Sequence, residues 1–156
     1  EEENSIQTKQ PMMMSMARSA TPIEETTIQV SSWDGVEVQI GNNLYKIRKS
    51  GSEIANVTYS HDETGKITFS ADNEIYLYSL NEEANNITLK GDGGILLYLK
   101  SANDTVEVLT SRKWIYSEGG NNTIISKATE GLYLSLQGNG DDTLSLNTSS
   151  RIPSSV

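Results

Sequence analysis

The stretch that decides the fold is residues 103–146, NDTVEVLTSRKWIYSEGGNNTIISKATEGLYLSLQGNGDDTLSL. Within it a polar pair, a threonine and an aliphatic residue recur: Asn-Asp-Thr-Val at 103–106, Asn-Asn-Thr-Ile at 121–124 and Asp-Asp-Thr-Leu at 141–144. The chemistry of a turn and the start of a strand therefore repeat every 18 to 20 residues. A period of this length is typical of a solenoid, in which each repeat buries its apolar face against the next.

Two columns of apolar residues extend this period over most of the chain. The first contains Ile28, Ile47, Ile67, Ile87, Val106, Ile124 and Leu144. The second contains Val38, Val57, Ile75, Ile95, Trp114 and Leu132. Short segments around these residues alternate in polarity and favour β-branched side chains, whereas many of the runs between them are rich in Gly, Asn and Asp. The sequence predicts an all-β domain of about six coils, with two strands in each coil of 18–20 residues.

The predicted fold class is a single-domain parallel β-solenoid, of the β-roll or β-helix kind. An antiparallel β-sandwich is the alternative, because its short strands also recur every 8 to 12 residues or so. The repeated turn chemistry favours the solenoid, since parallel coils stack equivalent turn residues on one another. A sandwich has no reason to repeat a turn sequence at a fixed phase.

Three segments are predicted along the chain: a disordered tail or linker (1–26), the β-solenoid domain (27–147) and a polar C-terminal stub (148–156). The tail holds a methionine cluster between prolines, serines, threonines and glutamates, a composition that does not build a core. The acidic start at Glu1 is interpreted as a processed terminus or as the boundary of a segment cut from a longer chain, so an export signal could have been removed.

Composition narrows the function further. The net charge of -9 disfavours nucleic acid and anionic membrane surfaces, which require basic patches. No apolar run approaches the roughly 20 residues of a membrane span. The absence of cysteine excludes disulfides, thiolate zinc sites and thiol nucleophiles. Richness in Ser, Thr, Asn and Gly predicts an exported protein of bacterial type, located outside the cell or on its surface.

Residues 137–145, Gln-Gly-Asn-Gly-Asp-Asp-Thr-Leu-Ser, resemble the nonapeptide of the RTX, or haemolysin-type, calcium-binding β-roll. Gly138, Gly140, Asp142 and Leu144 match its pattern, and Gln137 stands in place of the first glycine. The resemblance is degenerate in the other turns.

In the RTX family, carboxylates and backbone carbonyls of successive turns hold Ca²⁺. The resemblance therefore implies Ca²⁺ as a cofactor, with Asp104, Asp141 and Asp142 as the candidate ligands. The alternative is a metal-free ladder in which stacked Asn and Asp side chains bond along the solenoid and to the turn backbone. One column of this ladder is predicted to contain Asn85, Asn103, Asn121 and Asp141, and the next column to contain Asn122 and Asp142.

Outward-facing aromatic residues form the second candidate site. Tyr76 and Tyr133 are predicted to face outward from one column, where a tyrosine on a flat sheet can stack on a sugar ring. Tyr78, Tyr98, Tyr116 and Trp33 are further candidates, whereas Trp114 is predicted to pack in the core. The alternative is that the tyrosines simply cover a sheet face.

No paired carboxylates in a cleft, catalytic triad or phosphate-binding loop can be identified in the sequence. We therefore expect a non-enzymatic exported repeat domain with a structural or adhesive role on a surface or secreted protein. A calcium-dependent RTX-like folding module and a carbohydrate-binding module are the alternatives. The expected partner is a protein or glycan on a surface, without nucleic acid or membrane insertion, and the solenoid ends are candidates for self-association.

Overall fold

The computed structural model describes residues 22–147 and 154–155, which form strands and turns and contain no helix. The strands are β1 (Pro22–Val30), β2 (Val36–Ile40), β3 (Asn43–Lys49), β4 (Ala55–Asp62), β5 (Ile67–Ala71), β6 (Ile75–Ser79), β7 (Asn86–Lys90), β8 (Ile95–Leu99), β9 (Thr105–Val108), β10 (Lys113–Ser117), β11 (Thr123–Ser126), β12 (Leu132–Leu136), β13 (Thr143–Leu146) and β14 (Ser154–Ser155).

The strands form two seven-stranded sheets. Sheet A has the order β1-β4-β5-β7-β9-β11-β13, and sheet B has the order β14-β12-β10-β8-β6-β3-β2. From β5 onward the chain alternates between the sheets, and each strand pairs in parallel with the strand one coil further on. The predicted fold class is confirmed: the chain is an all-β parallel solenoid, of about four turns.

The first part of the chain departs from the predicted six coils. Strand β4 pairs antiparallel with both β1 and β5, and β3 pairs antiparallel with both β2 and β6. The connections β2–β3 and β4–β5 are short turns, and a short turn between adjacent strands forces antiparallel pairing. The first apolar column is accordingly split, because Ile28 lies opposite Val57 in sheet A whereas Ile47 lies opposite Leu77 in sheet B.

The structure also places strand residues inside both predicted terminal segments. Strand β1 begins at Pro22, within the predicted tail of residues 1–26, and β14 lies within the predicted stub of residues 148–156. The methionine cluster and the rest of these two segments lie outside the described residues.

The core lies between the two sheets, where alternate residues of most strands are buried. The strands β5, β6, β8, β10 and β12 all begin and end on inward positions. Fully buried members include Ile67, Phe69, Ile75, Leu77, Ile87, Leu89, Ile95, Leu97, Val106, Ile115, Ile124 and Leu132. Burial of one such aliphatic side chain contributes about 1.5–3 kcal/mol, so the regular inward column is the main stabilising feature of the coils.

Strand β10 differs from the prediction by one residue. Lys113, rather than Trp114, lies inward, opposite Ile95 and Leu132, and its side chain is 0% exposed. Its Nζ donates to three backbone carbonyl oxygens, those of Gly91, Gly93 and Ser111, at 3.0, 3.0 and 2.8 Å. All three ammonium hydrogens are thus bonded, although burial still lowers the pKa of Lys113 to about 8.

Candidate functional site

The outward face of sheet B carries most of the aromatic residues of the coils. Tyr78, Tyr98 and Tyr116 occupy one register column on β6, β8 and β10. A neighbouring column contains Tyr76, Leu96, Trp114 and Tyr133 on β6, β8, β10 and β12. We call this surface the aromatic face.

Parallel strands lie about 4.8 Å apart, so identical residues in one column stack as a ladder. The ring centroids of Tyr78 and Tyr98 are 4.9 Å apart with planes at 13°, and those of Tyr98 and Tyr116 are 4.8 Å apart at 11°. Because the rings cover one another's faces, the ladder presents ring edges and hydroxyl groups outward. Trp114 and Tyr133 form a second stack, with centroids 5.4 Å apart and planes at 9°.

Arg48 of β3 ends the ladder on its N-terminal side. Its guanidinium carbon lies 5.4 Å from the ring centroid of Tyr76 and 5.9 Å from that of Tyr78. Its Nη1 donates to the hydroxyl of Tyr78 at 3.0 Å, and its Nε donates to the carbonyl of Trp33 at 2.9 Å. The cation is therefore fixed over the aromatic face by two hydrogen bonds and by its attraction to two ring faces.

A groove of about 360 Å³ runs along the ladder where β6 and β8 end. Tyr78 and Tyr98 form one wall, and the charged residues at the groove are Lys46, Arg48, Lys100 and Glu118. Three of these four charged side chains are cationic, in a protein whose net charge is -9. The groove thus combines aromatic edges, hydroxyl groups and a local excess of positive charge.

Tyr98, at the centre of the ladder, remains uncharged at physiological pH. Burial, together with the neighbouring tyrosines, raises the pKa of Tyr98 above its ordinary value. Its hydroxyl therefore keeps its proton and can both donate and accept a hydrogen bond.

The orientation of Tyr76 and Tyr133 matches the prediction, since both lie on the outward face, with Tyr133 38% exposed. The prediction for Trp114 was wrong, because this residue stacks on Tyr133 outside the core. Arg48 was missed altogether. Its position in a polar-apolar alternation marked it as outward, but nothing in the sequence indicated that antiparallel pairing would set β3 beside β6.

The outward face of sheet A has a different character. Its central column contains Thr68, Thr88, Glu107 and Ile125. Glu107 bridges two lysines, with its carboxylate 3.6 Å from Lys66 Nζ and 3.0 Å from Lys127 Nζ. These ion pairs lower the pKa of Glu107. The charge of Glu107 on this face is thus already neutralised. The aromatic residues of the coils are concentrated on the other sheet.

A ladder of Asn and Asp side chains runs along one corner of the solenoid. The backbone N and Nδ2 of Asn85 donate to Oδ1 of Asp104 at 2.7 and 2.8 Å. The backbone N of Asp104 donates to Oδ1 of Asn122 at 3.1 Å, and the backbone N of Asn122 donates to Oδ1 of Asp142 at 2.8 Å. Each coil therefore uses the side chain of the next coil to satisfy its turn backbone, as the metal-free alternative predicts.

A second, more exposed ladder lies beside the first. The backbone N of Asn121 donates to Oδ1 of Asn103 at 2.8 Å, and that of Asp141 donates to Oδ1 of Asn121 at 2.7 Å. Asn85 was predicted to lie in this column. The structure instead aligns Asn85 with Asp104, because the two are joined directly by two hydrogen bonds.

Asp104 is the unusual member of the inner ladder. It is 1% exposed, and its Oδ2 has no hydrogen-bond partner among the described residues. Burial raises the pKa of its carboxyl above the ordinary value, although the bonds from Asn85 act in the opposite direction. An ionised carboxylate is therefore disfavoured here.

The predicted calcium ligands do not all lie together, because Asp104 is separated from Asp141 and Asp142. Asp104 and Asp142 belong to coils two apart, which places them about 10 Å apart along the axis. The residues that the structure describes contain no group of three His, Cys, Asp or Glu side chains that could hold a metal ion. The stacked turns also touch, since a Cβ at Gly140 would collide with the carbonyl oxygen of Gly120. A calcium ion near Asp141 or Asp142 would need backbone carbonyls as its further ligands, and calcium binding stays a prediction.

Within the described residues there is no helix of the length and apolarity that crossing a membrane requires. No family model matches this sequence, and comparison with curated proteins and with solved structures finds no match.

Proposed function

We propose that this chain is a non-enzymatic, exported repeat domain with an adhesive role, and that its aromatic face binds a glycan on an opposing surface. In this proposal the solenoid is a rigid scaffold that displays a flat binding sheet outside the cell. The carbohydrate-binding alternative from the sequence is thereby combined with the adhesive role.

The observation that carries the proposal is the concentration of ordered aromatic rings beside a groove on one sheet. Tyr98 has both neighbours of its ladder within 5 Å, so its position is set by the strand register. A rigid side chain loses little conformational entropy on binding, which is why preorganised aromatic surfaces bind well. Hydroxyl groups along the ladder supply the donors and acceptors that a sugar requires.

The stack of Trp114 and Tyr133 supports the same proposal. Tyr133 is 38% exposed and is one of four large hydrophobic side chains that are exposed among the described residues. Apolar surface left exposed on a soluble domain is a common sign of an interaction site. The central column of sheet A has no such exposed aromatic surface. We therefore assign different roles to the two faces of the solenoid.

The experiment is a glycan array probed with the whole chain, followed by calorimetric titration of the glycans that bind. Tyr98→Ala, Tyr76→Ala and Tyr133→Ala test the aromatic face, and Thr68→Ala on sheet A is the matched control. We expect the tyrosine variants to weaken binding about tenfold, equivalent to about 1.4 kcal/mol, and the control to bind normally. An array without any bound glycan would contradict the proposal, as would equal binding by all four variants.

A further inference from the structure

The groove beside the tyrosine ladder carries charges that a neutral sugar would not use. Lys46 and Arg48 form no ion pair with any described carboxylate, although Glu37 lies opposite Lys46 in the register of β2 and β3. The two cations lie at the same groove, in a chain that has 21 acidic and 12 basic residues.

Arg48 is held in a position suited to an anion. Two of its five N–H groups are occupied, by Tyr78 and by the carbonyl of Trp33. The other three have no partner among the described residues. A guanidinium that is already oriented binds a carboxylate with little further loss of entropy, and it can do so through two parallel hydrogen bonds.

Lys100 supplies a third positive charge. Its Nζ lies 3.0 Å from Oε2 of Glu82, whose side chain is 75% exposed. An exposed pair of this kind is worth at most about 1 kcal/mol, so Glu82 is easily displaced by a ligand anion. Glu118 is the single acid that lines the groove among the described residues.

We propose that the ligand of this groove is an acidic glycan, whose carboxylate is bound by Arg48 with Lys46 and Lys100 beside it. The proposal rests on the glycan-binding function above and adds the class of ligand. The tyrosine edges and hydroxyl groups contact the sugar ring, and the three cations select the sugar that bears a negative charge.

Charge complementarity is what favours this ligand. A glycan without charge would leave Arg48 and Lys46 partly desolvated without a compensating partner, which costs free energy. A carboxylate would replace the lost water with charge-assisted hydrogen bonds. The overall negative charge of the protein repels acidic polymers elsewhere on its surface, so the groove also fixes where such a ligand binds.

The test compares two acids with their neutral counterparts by calorimetric titration of the whole chain. The pairs are oligogalacturonate with its methyl ester, and sialyllactose with lactose. Oligogalacturonate represents an internal uronate, and sialyllactose represents a terminal acid. We expect one acid to bind at least about tenfold more tightly than its neutral partner, and its affinity to fall as salt concentration rises.

The variants Lys46→Gln and Lys100→Gln remove charge without changing the tyrosine stack, and Arg48→Gln removes the oriented guanidinium. Lys90→Gln, an exposed lysine at the end of β7 in sheet A, is the matched control. We expect the three groove variants to bind the acid about 3- to 10-fold more weakly and the control to bind it normally.

The possible failures can be told apart. If the neutral and acidic forms bind equally, the acidic specificity is wrong and the glycan-binding function stands. If the acid binds but the groove variants and Lys90→Gln lose affinity alike, the assignment to this groove is wrong. If neither the four probes nor any glycan on the array binds, both proposals fail.

Discussion

The segment 22–62 and the coils from residue 67 to residue 146 share one apolar period, yet their strands pair in opposite ways. The coils are parallel, and their turns stack in register through the ladder of Asn85, Asp104, Asn122 and Asp142. The first segment is antiparallel and is connected by short turns. The spacing of the strands therefore follows from the apolar period, whereas their direction follows from the repeated turn chemistry.

The two regions meet at a polar junction. The hydroxyl of Tyr45 on β3 donates to Oδ1 of Asn85 at 2.7 Å, and Nδ2 of Asn81 donates to the same oxygen at 2.9 Å. Asn81 Oδ1 in turn accepts the backbone N of Leu44 at 2.6 Å. The antiparallel segment therefore closes the first end of the ladder, and no coil edge is left exposed there.

The largest effect is expected from the inward column of the coils. Ile87→Asp and Ile124→Asp each bury a charge at a position that is 0% exposed, which costs more than about 5 kcal/mol and unfolds a domain of ordinary stability. Glu107→Lys changes an outward residue and should cost about 1 kcal/mol through its loss of two ion pairs. Circular dichroism melts of the three variants measure this contrast. Equal tolerance would mean that the inward and outward positions are misassigned.

A smaller loss of stability is expected from substitution of a turn glycine, and it should be greater in a stacked turn than in a hairpin turn. Gly120 and Gly65 both have φ of +89°, which an L-residue adopts only at a cost. A Cβ at Gly120 would also collide with the carbonyl oxygen of Ala102 in the preceding coil, whereas a Cβ at Gly65 would meet open space. We expect Gly120→Ala to destabilise by about 3 kcal/mol or more, and Gly65→Ala by about 1–2 kcal/mol. Equilibrium denaturation in urea measures this difference in stability between the two variants. Similar midpoints for the two would rule out close stacking of the turns.

The sequence was informative where the turn chemistry itself repeats. Residues 103–106, 121–124 and 141–144 predicted parallel stacking, and β9, β11 and β13 stack accordingly. For Ile28 and Ile47 only the spacing repeats, and these two residues lie in different sheets. The spacing of apolar residues along the sequence is the same whether a strand continues a parallel coil or reverses direction in a hairpin.

The misassignment of Trp114 has a different cause. Hydrophobicity favoured Trp114 over Lys113 as the inward residue, since a buried lysine is rare. The three carbonyls that accept its ammonium group belong to turns formed at Gly91, Gly93 and Ser111, two of them in the preceding coil. That network exists only in the folded chain. The same one-residue difference placed Trp114 on the aromatic face, so the candidate site was predicted only in part.

Asp104→Asn is expected to have a moderate, pH-dependent effect. Because the folded-state pKa of Asp104 is raised, its folded form binds the proton more tightly. The contribution of Asp104 to wild-type stability is therefore greatest below the ordinary pKa of aspartate and is lost as pH rises through the raised value. Asparagine has no charge to bury. We expect the variant to be more stable than wild type by about 1–3 kcal/mol at pH 7, with a smaller difference near pH 4.

The repeat also provides partners for the new amide. One coil later, Nδ2 of Asn122 donates to the carbonyls of Gly119 and Gly120 at 3.1 and 3.4 Å. The equivalent positions in the coil of Asp104 are Ser101 and Ala102, which lie against those glycines. Denaturation of both proteins across the pH range is the measurement. A variant that is less stable than wild type at pH 7 would show that the carboxylate is needed there.

The smallest effect is expected at the last turn, where the calcium prediction is decided. Asp142 Oδ1 accepts the backbone N of Asn122 at 2.8 Å, and an asparagine oxygen can accept the same bond. If the ladder needs no ion, Asp142→Asn should change stability by less than about 0.5 kcal/mol, and wild type should melt at the same temperature in EDTA and in Ca²⁺. Asp142→Ala, which removes the acceptor, should lose about 1 kcal/mol under both conditions. A wild-type melting temperature that rises only with Ca²⁺, and does so no longer in Asp142→Asn, would instead establish an RTX-like site at this turn, because ligand binding to the folded state alone raises its stability.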